Sequence, residues 1–125
     1  MARLINIKTI SDDRGNLNVL ETEKEIPFQI KRIFYIYDIP SQEIVRGGHR
    51  HKRTKMALIC IHGSCEIYVN NGEFEEFFPL DNPQKCLILE TEDWHTMQRF
   101  SNDAVLLVLA SEYYDINDYI DEEYK

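Results

Sequence analysis

The chain has 125 residues and a formal charge of -8, with 43% hydrophobic and 29% charged residues. That length supports one buried core and is short for two, so a single domain over residues 1–125 is expected. The acidic balance argues against general nucleic-acid binding. No apolar run approaches the roughly 20 residues that a membrane span needs, so no membrane partner is expected. The N-terminal residues 1–6 show no hydrophobic signal region. Cys60, Cys65 and Cys86 are odd in number and lack CxxC spacing. They read as buried free thiols in a reducing compartment, and a cytoplasmic location follows as the expectation.

Residues 4–10 alternate with period two and read as a strand. Ser11, Asp12, Asp13, Gly15 and Asn16 carry turn chemistry, and 17–21 return as a second short strand. Pro27 places 26–28 at an edge or in a loop. Residues 30–39, rich in Ile, Phe and Tyr, form a strong strand. After a loop, Gly47 and Gly48 lead into a strand that carries His49 and His51 and runs to Ile61. A turn at His62-Gly63-Ser64 precedes a strand over 65–69. Asn70-Asn71-Gly72 makes a hairpin turn, because Asn and Gly tolerate positive φ, and 73–80 return. Strands follow over 86–90 and 94–100. Residues 104–110 form an uninterrupted apolar strand, buried on both faces. The tail over 115–124 has acidic caps and reads as one short helix. Many short strands between turn signals define an all-β sandwich or barrel.

His49 and His51 stand at i and i+2 on an extended chain, so their rings project from one face. Arg46, Arg50, Lys52, Arg53 and Lys55 surround them, five of the fourteen basic side chains in an acidic protein. This cluster reads either as an anion-binding site or as a solvated charged turn. His62 is taken as a surface residue at its turn. His95 follows Trp94, far along the chain, but a barrel can bring its strand beside that of His49.

Two chemistries are then open. His49, His51 and His95 could ligate a metal as in metal-dependent cupins, for three histidines can hold zinc. The positions where cupins place a carboxylate are Lys55 and Met56, and the flanking cations oppose a dication. Alternatively, same-face imidazoles could move a proton between neighbouring carbons with no metal and no cofactor. Tyr35 and Tyr37 share a strand face, and either could polarise a carbonyl or pack in the core. Trp94 reads as a core residue or as a stacking platform.

The chain resembles the cupin-type sugar-nucleotide 3,4-ketoisomerases, which act on dTDP-4-keto-6-deoxyglucose in bacterial deoxysugar and lipopolysaccharide pathways. The resemblance rests on Asp13-Arg14-Gly15-Asn16-Leu17, on the stretch 26–36, on Arg46-Gly47-Gly48-His49-Arg50-His51-Lys52, on Trp94-His95 and on the block 106–115. It implies a jelly-roll barrel, a homodimer with exchanged N-terminal strands, no metal and a histidine base. His49, His51 and Tyr35 fall on the catalytic positions it implies, with His49 assigned as base and His51 as relay partner or second proton carrier. It implies substrate contacts from Arg46, Arg32, Lys52, Trp94 and His95. The family usually has Gln where this chain has Met56, and a small or proline-containing segment where it has Glu90-Thr91-Glu92-Asp93. Both departures bear on substrate choice. A non-catalytic sugar-nucleotide-binding cupin is the rival from another class.

Overall fold

Period-two apolar patterns lay the chain out as strands. The computed structural model describes residues 1–125. In chain order its strands are β1 (Arg3–Asn6), β2 (Thr9–Asp12), β3 (Gly15–Asn18), β4 (Arg32–Tyr37), β5 (Arg46–His51) and β6 (Met56–His62). They continue as β7 (Cys65–Asn70), β8 (Glu75–Leu80), β9 (Lys85–Leu89), β10 (Trp94–Gln98), β11 (Val105–Ala110) and β12 (Tyr119–Ile120). One five-stranded sheet has the order β1-β9-β6-β11-β4, and the other runs β12-β5-β10-β7-β8. Every pairing within them is antiparallel. The hairpin β2-β3 stands apart as its own two-stranded sheet.

The inward faces of the two sheets meet in one apolar core. It takes Met56, Leu58 and Cys60 from β6, Leu106 and Val108 from β11, Ile67 and Val69 from β7, and Met97 from β10. A smaller cluster covers the outer face of the first sheet, where Ile26 and Phe28 pack over Ala57, Ile59, Ile88 and Leu109. The central strand β11 is therefore covered on its inner side and, at Leu109, on its outer side, while Leu107 stays half-buried on the outer face. The whole is a jelly roll. All three cysteines are free and buried.

Three local expectations are corrected. The strand over 4–10 breaks into β1 and β2: the Ile7 N–H still meets the Gln84 carbonyl at 2.7 Å in the β1–β9 register, and beyond it the chain leaves that sheet for the separate β2-β3 hairpin. The histidine strand does not run to Ile61: it ends at His51, and Lys52–Lys55 turn a corner into β6 of the opposite sheet. The tail forms no α-helix. Asp115 caps a single 3-10 turn over Ile116–Asp118, accepting from the Asn117 N–H, and the chain is then drawn out as Tyr119 pairs with His51.

Two glycines in succession shape the start of β5. Gly47 and Gly48 have φ of +85° and +87°, a region closed to side chains without strain. A Cβ on Gly47 would also come to 3.0 Å of the His95 carbonyl oxygen. The pair lets β5 shift register against β10 while His49 stays opposite His95.

Candidate active site

His49 and His51 keep the same-face relation that their spacing dictates, with ring centroids 5.0 Å apart. β10 lies beside β5, and the ring of His95 stands 5.2 Å from His49 and 6.3 Å from His51. The three imidazoles form one cluster on the inward face of the second sheet. Burial strips water from them and disfavours their charged forms. It pulls His49 down from 6.5 to about 4, helped by the neighbouring His51 and opposed by Asp121 and a hydrogen bond to Gly47. It pulls the wholly buried His95 down to about 3. His51 is lowered too, by burial and by Arg32, against the opposite pull of Asp118. All three are neutral at pH 7, and neutral imidazole is the form that accepts a proton.

The side chains that touch these histidines from behind come from the tail, which no motif in the sequence had tied to the site. Asp118 Oδ2 lies 3.0 Å from His51 Nδ1. The same carboxylate accepts from the Arg53 N–H at 2.8 Å and from the Thr54 hydroxyl. Tyr119 lays its ring against both histidines, 4.6 Å from His49 and 4.7 Å from His51. Asp118 and Tyr119 are more than sixty residues from the histidines in sequence, so only strand pairing could reveal them.

The other expected site residues divide. Arg32 is half-buried, near enough to His51 to lower its proton affinity, and its guanidinium lies over Phe34 at 5.5 Å and Tyr114 at 5.7 Å. Its Nε is buried without a partner. Arg46 and Lys52 are exposed at the two ends of β5. Tyr35 does not meet the histidines: it is 62% exposed on the outer face of β4, beside Tyr37. Alternation turns Arg32 and Phe34 inward and Tyr35 outward, so the inward aromatic of β4 is Phe34. Trp94 also points away from His95. Its indole donates to the Asp121 carbonyl at 3.0 Å and packs near Tyr68, anchoring the tail on the outer face.

The cationic cluster is likewise divided by alternation. Arg50 leaves the histidine face and stacks on Tyr124 at 4.7 Å. Arg53 pairs with Asp115 at 3.1 Å and Lys55 with Glu90 at 3.7 Å. The acidic stretch 90–93 is occupied by structure: Glu90 pairs with Arg3, Glu92 with the N-terminal amine, and Asp93 accepts from the Glu90 N–H. Met56 is a core residue. No group of three or more His, Cys, Asp or Glu side chains is arranged to hold a metal ion. No helix is long and apolar enough to cross a membrane.

A jelly roll with imidazoles from adjacent strands gathered on its inner face is a cupin. The family model described as FdtA: WxcM-like, C-terminal matches residues 1–125. A TDP-4-oxo-6-deoxy-alpha-D-glucose-3,4-oxoisomerase of Aneurinibacillus thermoaerophilus is 44% identical over 118 residues, covering 94% of this chain and 84% of the relative. The crystal structure of a 3,4-ketoisomerase from Helicobacter canadensis superposes with a TM-score of 0.92 at 43% identity, covering 97% of this chain and 90% of that one. The sugar 3,4-ketoisomerase QdtA of Thermoanaerobacterium thermosaccharolyticum, solved in complex with TDP, gives 0.92 at 40% identity, with 97% and 88% covered. The chain belongs to this ketoisomerase family and is an isomerase.

Proposed function

We propose that the protein moves a ketone from C4 to C3 of a dTDP-linked 4-keto-6-deoxyhexose through an enediol. The observation that carries the chemistry is the convergence of neutral His49 and His51 on one face, 5.0 Å apart. Base removes the C3 proton, which the C4 ketone acidifies, and the C–H electron pair becomes the enediol double bond. Reprotonation at C4 and loss of the O3 proton leave the ketone at C3. In sum one proton passes from C3 to C4 and one from O3 to O4. No redox cofactor is needed, because the oxidation level only moves between neighbouring carbons.

In this reading His49 is the base and His51 the second proton carrier, with His95 lining the pocket. Arg32 faces the histidines and supplies positive charge there, while Arg46 and Lys52 at the ends of β5 meet the pyrophosphate. Incubation with dTDP-4-keto-6-deoxyglucose, followed by NMR of the product, tests the reading. A 3-keto product is expected. Binding without turnover would instead favour the sugar-nucleotide-binding module.

We also infer a homodimer. A cleft of about 760 Å³ opens on the outer face of the first sheet, away from the histidines; Ile7, Leu20, Ile59, Ile61 and Leu107 form its apolar floor, and polar side chains such as Thr9, Asn16 and Gln84 form the rest of its wall. The hairpin β2-β3 beside it exposes Ile10 at 56% and Leu17 at 55%. β1 already pairs with β9 of its own chain, so the hairpin is the segment free to exchange. The exposed Ile10 and Leu17 of the hairpin and the apolar floor of the cleft on each of two copies satisfy one another by two-fold symmetry.

A further inference from the structure

We propose that Asp118 is a positioning residue for the reaction: it holds His51 as the Nδ1–H tautomer and leaves the Nε2 lone pair free to carry a proton. The role in turnover rests on the ketoisomerase reading, whereas the tautomer follows from the geometry alone. Three groups converge on the Asp118 carboxylate: the Arg53 N–H at 2.8 Å, the Thr54 hydroxyl and His51 Nδ1 at 3.0 Å. Burial pushes this carboxyl up, but the Thr54 hydroxyl, the Arg53 N–H and His51 together hold it below the usual carboxylate range, so at neutral pH it is ionised and can only accept. An acceptor at 3.0 Å requires that Nδ1 carry the hydrogen, and Nε2 is then the bare nitrogen. Both side chains are buried.

His51 Nε2 is itself buried and has no hydrogen-bond partner. Leaving a buried polar atom unpaired is costly and calls for an explanation. A ligand that brings its own hydrogen to this nitrogen supplies one. His95 makes the comparison. Its Nδ1 lies 3.1 Å from the Asp93 carbonyl, so it shares the tautomer, and its Nε2 is also unpartnered. A neutral carbonyl, however, offers little to an imidazolium. His51 alone of the three has an anionic partner in direct hydrogen-bond contact, and so it alone can hold a positive charge in this dry site. A reaction that moves protons at both carbon and oxygen needs such a second carrier beside the base.

The placement is built by the tail. Asp115 caps the 3-10 turn, the Lys52 N–H donates to the Asp118 carbonyl at 2.9 Å, and Tyr119 pairs with His51. The backbone thus locks Asp118 on the Nδ1 side of His51, away from the unpartnered Nε2.

Long-range proton–nitrogen NMR of the imidazoles in the full-length protein at neutral pH reads the tautomer without any substrate. His51 protonated at Nδ1 and bare at Nε2 is expected, and the reverse assignment overturns the proposal. In Asp118→Asn the tautomer should redistribute. Its kcat should fall by about 10²–10⁴, with KM changed only a few-fold, since a mispositioned proton carrier loses the transition state and not the substrate. A folded Asp118→Asn protein with wild-type tautomer and kcat also overturns it. Thr54→Val keeps the carboxylate and should keep the tautomer. If Thr54→Val scrambles it equally, the hydroxyl and not Asp118 is the agent, and the proposal fails. Should Asp118→Asn not fold, the wild-type spectrum decides. If the wild-type protein does not isomerise the keto sugar, the ketoisomerase reading falls while the spectrum still judges Asp118.

Discussion

His49 sits where three influences meet. Burial and His51 lower its proton affinity to about 4, while its strand neighbour His95 lies 5.2 Å away. A base this weak abstracts a carbon proton only because the adjacent ketone delocalises the charge. His49→Asn should therefore lower kcat by about 10²–10⁴ with little effect on fold or binding, and hydrogen exchange at C3 in heavy water should stop. Exchange at the wild-type rate would move the base to another residue.

The same burial predicts the pH response. The acid limb of kcat/KM should fall near pH 4 and not near the ordinary imidazole value of 6.5. Stability has a matching sign. Between the unfolded value of 6.5 and the folded values of about 4 for His49 and about 3 for His95, the unfolded chain binds more protons. Stability is thus fully present above pH 6.5 and is lost as pH falls toward those values. Denaturant titrations across that range check it, and a flat profile would mean that the imidazoles are wet.

At the scale of the strand, β5 depends on its glycines. Gly47 combines a positive φ with a close approach to the His95 carbonyl, so a side chain there meets both strain and contact. Gly47→Ala should cost about 1–2 kcal/mol for the backbone alone. It should also displace His49 from His95, so kcat falls more than stability does. A variant with wild-type melting temperature and turnover would show that the bulge does not position the histidine. β4 yields the opposite expectation. Tyr35 lies on the outer face, so Tyr35→Phe should leave kcat within about two-fold, the range of a surface substitution away from special features. A large kcat loss would mean that Tyr35 reaches a site only an assembly completes.

For the whole molecule, the uncovered cleft and the apolar hairpin predict association. Sedimentation should give about twice the chain mass of 14.8 kDa. Leu17→Asp on the hairpin should shift the equilibrium toward the single chain, because a charge on a covered apolar face is costly. A wild-type protein that stays at one chain mass at high concentration would contradict the inference.

What the sequence determined by itself is what local periodicity can encode. Alternation placed His49 and His51 on one face, and the β-branched runs with their turn residues specified an all-β sandwich or barrel, which the family resemblance narrowed to a jelly roll. The Asn70-Asn71-Gly72 turn between β7 and β8 was legible for the same reason. Parity also decides which face each residue takes, yet parity alone does not say which face is inside. That is why Tyr35 and Trp94 read as site residues until the sheets were packed, and why Phe34 did not. Which strands become neighbours was decided only by tertiary structure. β10 brought His95 to His49, and the tail brought Asp118 and Tyr119 to His51, across gaps in sequence that no local pattern records. The tail shows the competition directly. Its acidic caps favour a helix, but pairing with the edge of β5 and the buried carboxylate–imidazole contact stop it after a single 3-10 turn. Local propensity is worth a few tenths of a kcal/mol per residue, which buried hydrogen bonds and strand pairing exceed.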